Sequence, residues 1–478
     1  MKNIAGLLLL STVIGALPVH AQYKNKPGDD PSPAAALTPD MLKTLQGEVP
    51  MTPELQAVRN VLANNGVRAL ILNPDVANRT DKYFNHEIKT PGSITDQQNS
   101  GRCWLFAGLN MLRPGVISKD KMKDFMLSQA YEQFYEKLEG ANRSLDLAIS
   151  LRKEPIHSRR LDTLLAHMVT DGGNWNYVRS LVDKYGAVPE SVMPDDYAAS
   201  HSGEMIGLMS ARLRKAVIEL RSPKLQDAND AELQTWKMNA LKDVYKILVL
   251  CLGQPPESFP WRYEDKNGKV TALAQYTPMS FRQKFVDANL GRYADFVNYP
   301  GQPMHAHLEW AWEREMADQP NMEAVNITMP EMVDMVQKSI LANEPVWFGA
   351  NAGAEGDGKK GLWLDGIQDK NDLFGIDFSL SKEEELSYDN GGPDHAMVIT
   401  GVDIQNGKPV KWKVENSWGD KAGDKGWFTI DDQWFEKHVY QVIIDPKFVP
   451  GKLMDLTKQK ATMLPPWDPF ADWAPGGE

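Results

Sequence analysis

Cys103 stands in the stretch Gln97-Gln98-Asn99-Ser100-Gly101-Arg102-Cys103-Trp104-Leu105-Phe106-Ala107, and far downstream come Asp394-His395-Ala396 and Glu415-Asn416-Ser417-Trp418-Gly419. These residue types are the set that thiol-dependent acyl transfer requires. Cys103 would attack a carbonyl carbon, and His395 would take the thiol proton and later return one to the leaving amine. Asn416 would hold the imidazole in one tautomer, and Trp418 would wall that hydrogen bond off from water. Gln97, six residues before the cysteine, would donate its side-chain amide to the oxyanion together with the backbone N–H of Cys103. Each residue also has a plain reading: a half-buried histidine, a turn asparagine, a core tryptophan, a solvated glutamine. The combination favours the chemical one.

The elements that must position these groups are partly legible. Trp104 to Leu112 reads as a buried apolar helix with Ser100-Gly101 just before it. Cys103 then falls in the first turn, where unpaired N–H groups and the helix dipole favour a thiolate. An imidazolium at His395 would add to that. Asn406-Gly407 predicts a two-residue hairpin turn. Counting back from it sets His395 opposite Trp418, with Asn416 a diagonal neighbour on the same face, provided that Pro409 or a bulge does not shift the register.

Helical patterns are predicted at Pro53 to Asn64, Ser128 to Glu139, Arg160 to Met168, Asn174 to Tyr185, Glu204 to Leu220 and Asp230 to Leu252. Strand patterns follow a change of character near residue 340, at 344–350, 396–402, 411–414 and 426–430. A helix-rich half therefore carries the cysteine and a strand-rich half carries the histidine and asparagine, with the site expected in the cleft between them. The division of the chain reads as a signal peptide over 1–21, a linker or N-terminal extension over 22–52, a main domain carrying these residues over 53–463 and a tail over 464–478.

The chain has 478 residues, 42% hydrophobic and 24% charged, enough for a large core. Met1-Lys2-Asn3, an apolar run to Leu17 and Val19-His20-Ala21 form the charge, core and small-residue end of a secretory signal. The run is too short for a membrane span and breaks at Pro18, so a secreted or periplasmic protein is expected. Cys103 and Cys251 are its only cysteines. A disulfide between them is not expected, and Cys251 reads as a buried core residue. The net charge of −12 argues against nucleic-acid or anionic-membrane binding. Gly356 to Gly361 matches G-x-G-x-x-G but lacks a following helix, so it reads as a flexible loop. His305 and His307 have no third ligand at a recognisable spacing, and no metal or other cofactor is expected. Thr170-Asp171-Gly172-Gly173-Asn174-Trp175 could let a substrate backbone approach closely at Gly172 and Gly173, or could simply start a helix at Asn174.

The chain resembles the bleomycin hydrolase and aminopeptidase C branch of the papain-like cysteine peptidases. The residues that carry the resemblance are Ser100 to Trp104, Thr170 to Trp175, Leu252-Gly253-Gln254-Pro255-Pro256-Glu257-Ser258-Phe259, Glu344 to Gly349, Asp394 to Met397 and Val414 to Gly419. The resemblance implies an α+β, two-lobed papain-like fold with a helical lobe, a β-barrel-like lobe and helical insertions. It implies Cys103, His395 and Asn416 as catalytic residues and Gln97 at the oxyanion hole. Trp104 and Trp418 would be structural at the site, and Gly172, Gly173, Asp394 and the terminal Glu478 would face substrate. It also implies peptide substrates, a hexameric barrel with inward-facing sites, and a C-terminal tail in the cleft that limits cleavage to amino-terminal residues. This tail departs from the family pattern after Pro469 and ends in an acidic residue, which leaves an endopeptidase as the alternative to an aminopeptidase. A pseudoenzyme that only binds peptides is the reading from another class.

Overall fold

The structure is a computed structural model that describes residues 35–286, 289–388 and 391–471. The chain divides into two compact units, one up to Leu70 and one from Ile71 onward. The first holds helices α1 (Pro39–Glu48) and α2 (Pro53–Leu62). Each starts with a threonine, Thr38 or Thr52, whose side chain accepts an N–H of the first turn, followed by proline. Helix α2 meets the sequence expectation, whereas α1 lies inside the span read as linker. Thr38-Pro39-Asp40 is a helix-start signal that its Pro-rich surroundings concealed.

The second unit pairs a helical lobe with a large mixed sheet. Helix α3 (Cys103–Asp120) is buried along most of its length because helices cover one side and the sheet the other. That two-sided burial is why its sequence is apolar nearly all round. Around it lie α4 (Gln129–Leu151), α5 (Arg159–Ala166), α6 (Trp175–Tyr185), α7 (Gly203–Leu220) and α8 (Asp230–Leu252). Their ends follow local chemistry: Ser128 and Asn174 cap α4 and α6, Asn229 and Glu232 form a capping box on α8, and Gly253 at φ 78° stops it. Helix α4 runs twelve residues beyond the predicted Glu139, since the glycine at 140 serves packing: a Cβ there would lie 2.3 Å from the Glu315 carboxylate.

Among the described residues the sheet has eleven strands. Its site-bearing part consists of β1 (Val346–Ala350), β2 (His395–Gln405), β3 (Lys408–Glu415) and β4 (Trp427–Asp431), adjacent in that order, with β5 (Val439–Ile444) on the other side of β1. Beyond β5 come Ala294–Val297, Glu323–Asn326, His307–Trp310 and Thr462–Leu464. Three of those strands precede residue 340, so the switch from helix to strand comes earlier than the sequence suggests. They are four residues each and mostly buried, too short to show an alternating pattern.

Asn406 (φ 52°) and Gly407 (φ 79°) form the predicted turn, and Gln405 pairs with Lys408. The register then slips twice. Val410 is an extra residue on β3 and Thr400 an extra residue on β2, and the two irregularities cancel, so that Val398 faces Glu415 as an unbroken ladder would have it. Pro409 and bulges do disturb the hairpin, yet at Val398 and Glu415 the pairing returns to the expected count.

Candidate active site

Cys103 is the first residue of α3 and His395 the first residue of β2, and both are buried. The backbone N–H groups of Trp104 and of Ala396, the residue after His395, favour the charged form of the Cys103 thiol. The His395 Nε2 lies 2.8 Å from the Asn416 Oδ1. An amide oxygen only accepts, so Nε2 carries the proton and Nδ1 is left as the base. The ring stacks on Trp418 with centroids 4.8 Å apart, and Trp418 is braced edge-on by Trp363 and Phe428. The Asn416 Oδ1 also accepts from the Ser417 N–H at 2.7 Å, which fixes the amide orientation from its own chain.

Gln97 is buried and held on three sides. Its backbone N–H donates to the Ser417 carbonyl at 2.8 Å, its Oε1 accepts from the Ser417 hydroxyl at 2.6 Å, and its Nε2 donates to the Ser100 carbonyl at 2.7 Å. An amide nitrogen has two hydrogens, so one remains for an oxyanion.

Burial pushes the Cys103 thiol up to about 11 and the His395 imidazole down to about 4. Asp394 and Asp171 add to the first shift, whereas the N–H groups of Ala396 and Trp104 oppose it. Burial thus works against the standing thiolate–imidazolium pair expected from sequence. Proton transfer from Sγ to the imidazole would create both charges together, and each would then offset the other's desolvation.

The loop before α3 is fixed from the helical lobe. The Asp171 carboxylate accepts the Gly101 N–H at 2.9 Å, pairs with the buried Lys137 at 2.8 Å and binds the Ser202 hydroxyl. The Asp171 carbonyl accepts from the Trp104 indole at 2.8 Å. Sequence reasoning named the Asp171 stretch without giving Asp171 a role of its own and passed over Lys137; the signal available was an aspartate directly before the glycine pair.

The remaining expected residues fall in several places. Gly173 is a packing glycine, since a Cβ would sit 2.6 Å from the Trp104 ring and 2.8 Å from Tyr177. Gly172 and Gly173 line a small pocket with Tyr177, Glu313, Pro466 and Ala471. The Asp394 carboxylate is committed to the N–H groups of Ala352 and Gly353, at 2.7 and 3.1 Å, so its visible task is to hold that loop. Glu478 lies outside the described residues. Cys251 is half-buried, a correction to its reading as a core residue, and both cysteines are free thiols. Gly356 to Gly361 leads into the strand Leu362–Trp363, and the loop is fastened: the Asp357 N–H donates to the Leu362 carbonyl at 2.7 Å and the Leu362 N–H returns a bond at 3.1 Å. His305 meets Glu331 and His307 the Gln459 carbonyl. No helix among the described residues is long and apolar enough to cross a membrane.

A buried cysteine opening a helix that packs on a strand opened by a buried histidine, in an α+β molecule, is the arrangement of the papain-like cysteine peptidases. The model of the Peptidase C1-like family matches residues 36–471. The chain is 33% identical to aminopeptidase C of Lactobacillus helveticus over 442 residues, covering 91% of this chain and 98% of the relative. It is 33% identical to aminopeptidase W of Lactobacillus delbrueckii subsp. lactis, covering 90% and 98%. The crystal structure of PepW from Lactobacillus rhamnosis HN001 superposes with a TM-score of 0.88 at 37% identity, covering 91% of this chain and 99% of that one. The chain belongs to the Peptidase C1-like family, in its aminopeptidase C and bleomycin hydrolase branch.

Proposed function

We propose that this cysteine aminopeptidase hydrolyses peptides through a Cys103–His395–Asn416 triad and an acyl-enzyme. The imidazole Nδ1 takes the thiol proton as Sγ attacks the carbonyl carbon. The carbonyl oxygen, now negative, receives N–H bonds from Gln97 and the Cys103 backbone. As the intermediate collapses, His395 gives its proton to the departing amine and a thioester remains. Water then loses a proton to His395 and attacks the thioester, and the proton returns to the sulfur. Asn416 holds the ring throughout. The observation that carries this reading is the 2.8 Å hydrogen bond from His395 Nε2 to Asn416 Oδ1, at the start of the strand packed against the helix that Cys103 opens. Cys103→Ala tests it, with loss of hydrolysis by a folded protein as the expected result.

The tail supports cleavage at a free N-terminus. Phe470 is buried and stacks between Tyr299 and Trp310, at 5.3 and 5.2 Å, and Asp468 accepts from the Trp310 indole at 3.0 Å. This anchor leads to Ala471, in the wall of the pocket that Gly172 and Gly173 share. A carboxylate that the residues after this anchor brought near Cys103 would pair with a substrate ammonium. The aminopeptidase names of the relatives agree with this reading. Comparing free-amine with N-blocked fluorogenic peptides separates it from an endopeptidase. The leader-like N-terminus supports export to the periplasm or medium, which cell fractionation tests. The family resemblance supports a hexamer, which light scattering tests.

A further inference from the structure

Arg113 is a charged residue in a helix that is otherwise nearly all apolar, and its side chain is 1% exposed. Its three nitrogens reach three acceptors. Nε donates to the Pro91 carbonyl at 2.8 Å, one terminal nitrogen to the Ser93 carbonyl at 2.7 Å, and the other to the Glu415 carboxylate at 2.5 Å. Glu415 is equally buried. The guanidinium passes so close to Gly92 (φ 87°) that a Cβ there would lie 2.4 Å from its Nε.

These acceptors belong to the segments that carry the active-site side chains. Arg113 shares α3 with Cys103. Pro91 and Ser93 begin the segment that reaches Gln97, and Glu415 directly precedes Asn416. That segment is tied to its neighbours further on: the Asn110 amide donates to the Thr95 hydroxyl at 2.9 Å, and the Gly419 N–H donates to the Thr95 carbonyl at 3.0 Å. Ten residues of helix put Arg113 about 15 Å along the axis from Cys103, so it touches no reacting atom.

We infer that Arg113 is a positioning residue, whose guanidinium fork sets the distances among the helix that bears Cys103, the segment that bears Gln97 and the strand end that bears Asn416. The inference rests on the triad reading above. The planar fork is what makes arginine suited to this place, because a lysine ammonium on a flexible stem does not hold three acceptors in fixed directions. Catalysis is sensitive to such placement, since displacements on the order of 1 Å remove about 100-fold in rate.

The test uses the full-length protein and a free-amine dipeptide amide substrate. Arg113→Met is expected to lower kcat by about tenfold or more with KM held within about threefold, and to slow alkylation of Cys103 by iodoacetamide in parallel. Arg113→Lys is expected to recover part of kcat. A purely structural role would lower thermal stability and leave kcat and alkylation rate unchanged in the folded fraction, and that result would overturn the inference. So would wild-type kcat in Arg113→Lys, or in the double variant Arg113→Met with Glu415→Gln. If Arg113→Met does not fold, Gly92→Ala, which crowds the fork while leaving both charges, and the near-isosteric Glu415→Gln are judged by the same kcat criterion. Cys103→Ala keeps the two ideas apart. Activity retained there refutes the triad, whereas activity lost there but kept in the Arg113 variants refutes only the positioning role.

Discussion

Gln97 and Ser417 are joined twice, by a backbone N–H to carbonyl bond of 2.8 Å and by a hydroxyl to amide-oxygen bond of 2.6 Å. The proposed oxyanion donor is therefore fastened to the neighbour of the proposed histidine-orienting residue, from the opposite lobe's loop. Gln97→Ala is expected to lower kcat by about 100-fold, as loss of one oxyanion donor does. Ser417→Ala, which frees the amide to turn, is expected to cost less. Steady-state kinetics on one substrate rank the two, and an equal or reversed order would contradict the assigned roles.

The two cysteines should behave oppositely. Cys103→Ala is expected to abolish hydrolysis, because no other side chain offers a nucleophile at that position. Cys251→Ala is expected to keep activity, since Cys251 is half-buried on α8 as a free thiol. Activity of the purified variants, with circular dichroism to verify folding, checks both.

His395→Ala should cost nearly as much as Cys103→Ala, while Asn416→Ala should cost less, because asparagine orients the ring without exchanging a proton. Equal losses would contradict that division.

The same histidine should shape stability against pH. Its folded value, about 4, lies below the ordinary 6.5, so the unfolded chain binds more protons between those limits. The contribution is complete above pH 6.5 and is lost as pH falls toward 4, with a ceiling on the order of 3 kcal/mol. His438 is depressed to about 4 by burial as well and adds in the same direction. Chemical denaturation across this window should show a shallower pH slope for His395→Ala than for wild type, and an unchanged slope would refute the assignment.

Cutting the tail after Ala471 should lower turnover of free-amine substrates and raise cleavage of N-blocked ones, while leaving the Phe470 anchor in place. Cutting before Phe470 should also destabilise the surrounding cluster, by about 3–5 kcal/mol if it resembles other buried Phe deletions. Unchanged rates on both substrate types after the shorter cut would show that the tail does not set specificity.

Much of this was legible in the sequence because local chemistry decided it. Asn229, Gly253, Ser128 and Asn406-Gly407 mark ends and turns through their own side chains or φ angles, and the Cys, His and Asn contexts pointed to the family. What stayed hidden depends on partners far away in the chain. Nothing near Arg113 says that Glu415 will meet it, and nothing near Asp171 says that Lys137 will. Gly173 resembled a backbone-approach site because a sequence does not show the Trp104 ring against it. The short strands between 294 and 326 lacked the length for a period, and α1 was masked by prolines that open helices as readily as they mark linkers.

The two cancelling irregularities of the β2–β3 hairpin make the alignment of His395 with Asn416 a matter of parity. A strand shifted by one residue turns its side chains to the opposite face, while a shift of two keeps the face. Engineers who lengthen or graft onto the hairpin should therefore work in even steps, or alter Thr400 and Val410 together, because an odd change between the turn and the catalytic end would carry the imidazole to the wrong side of the sheet.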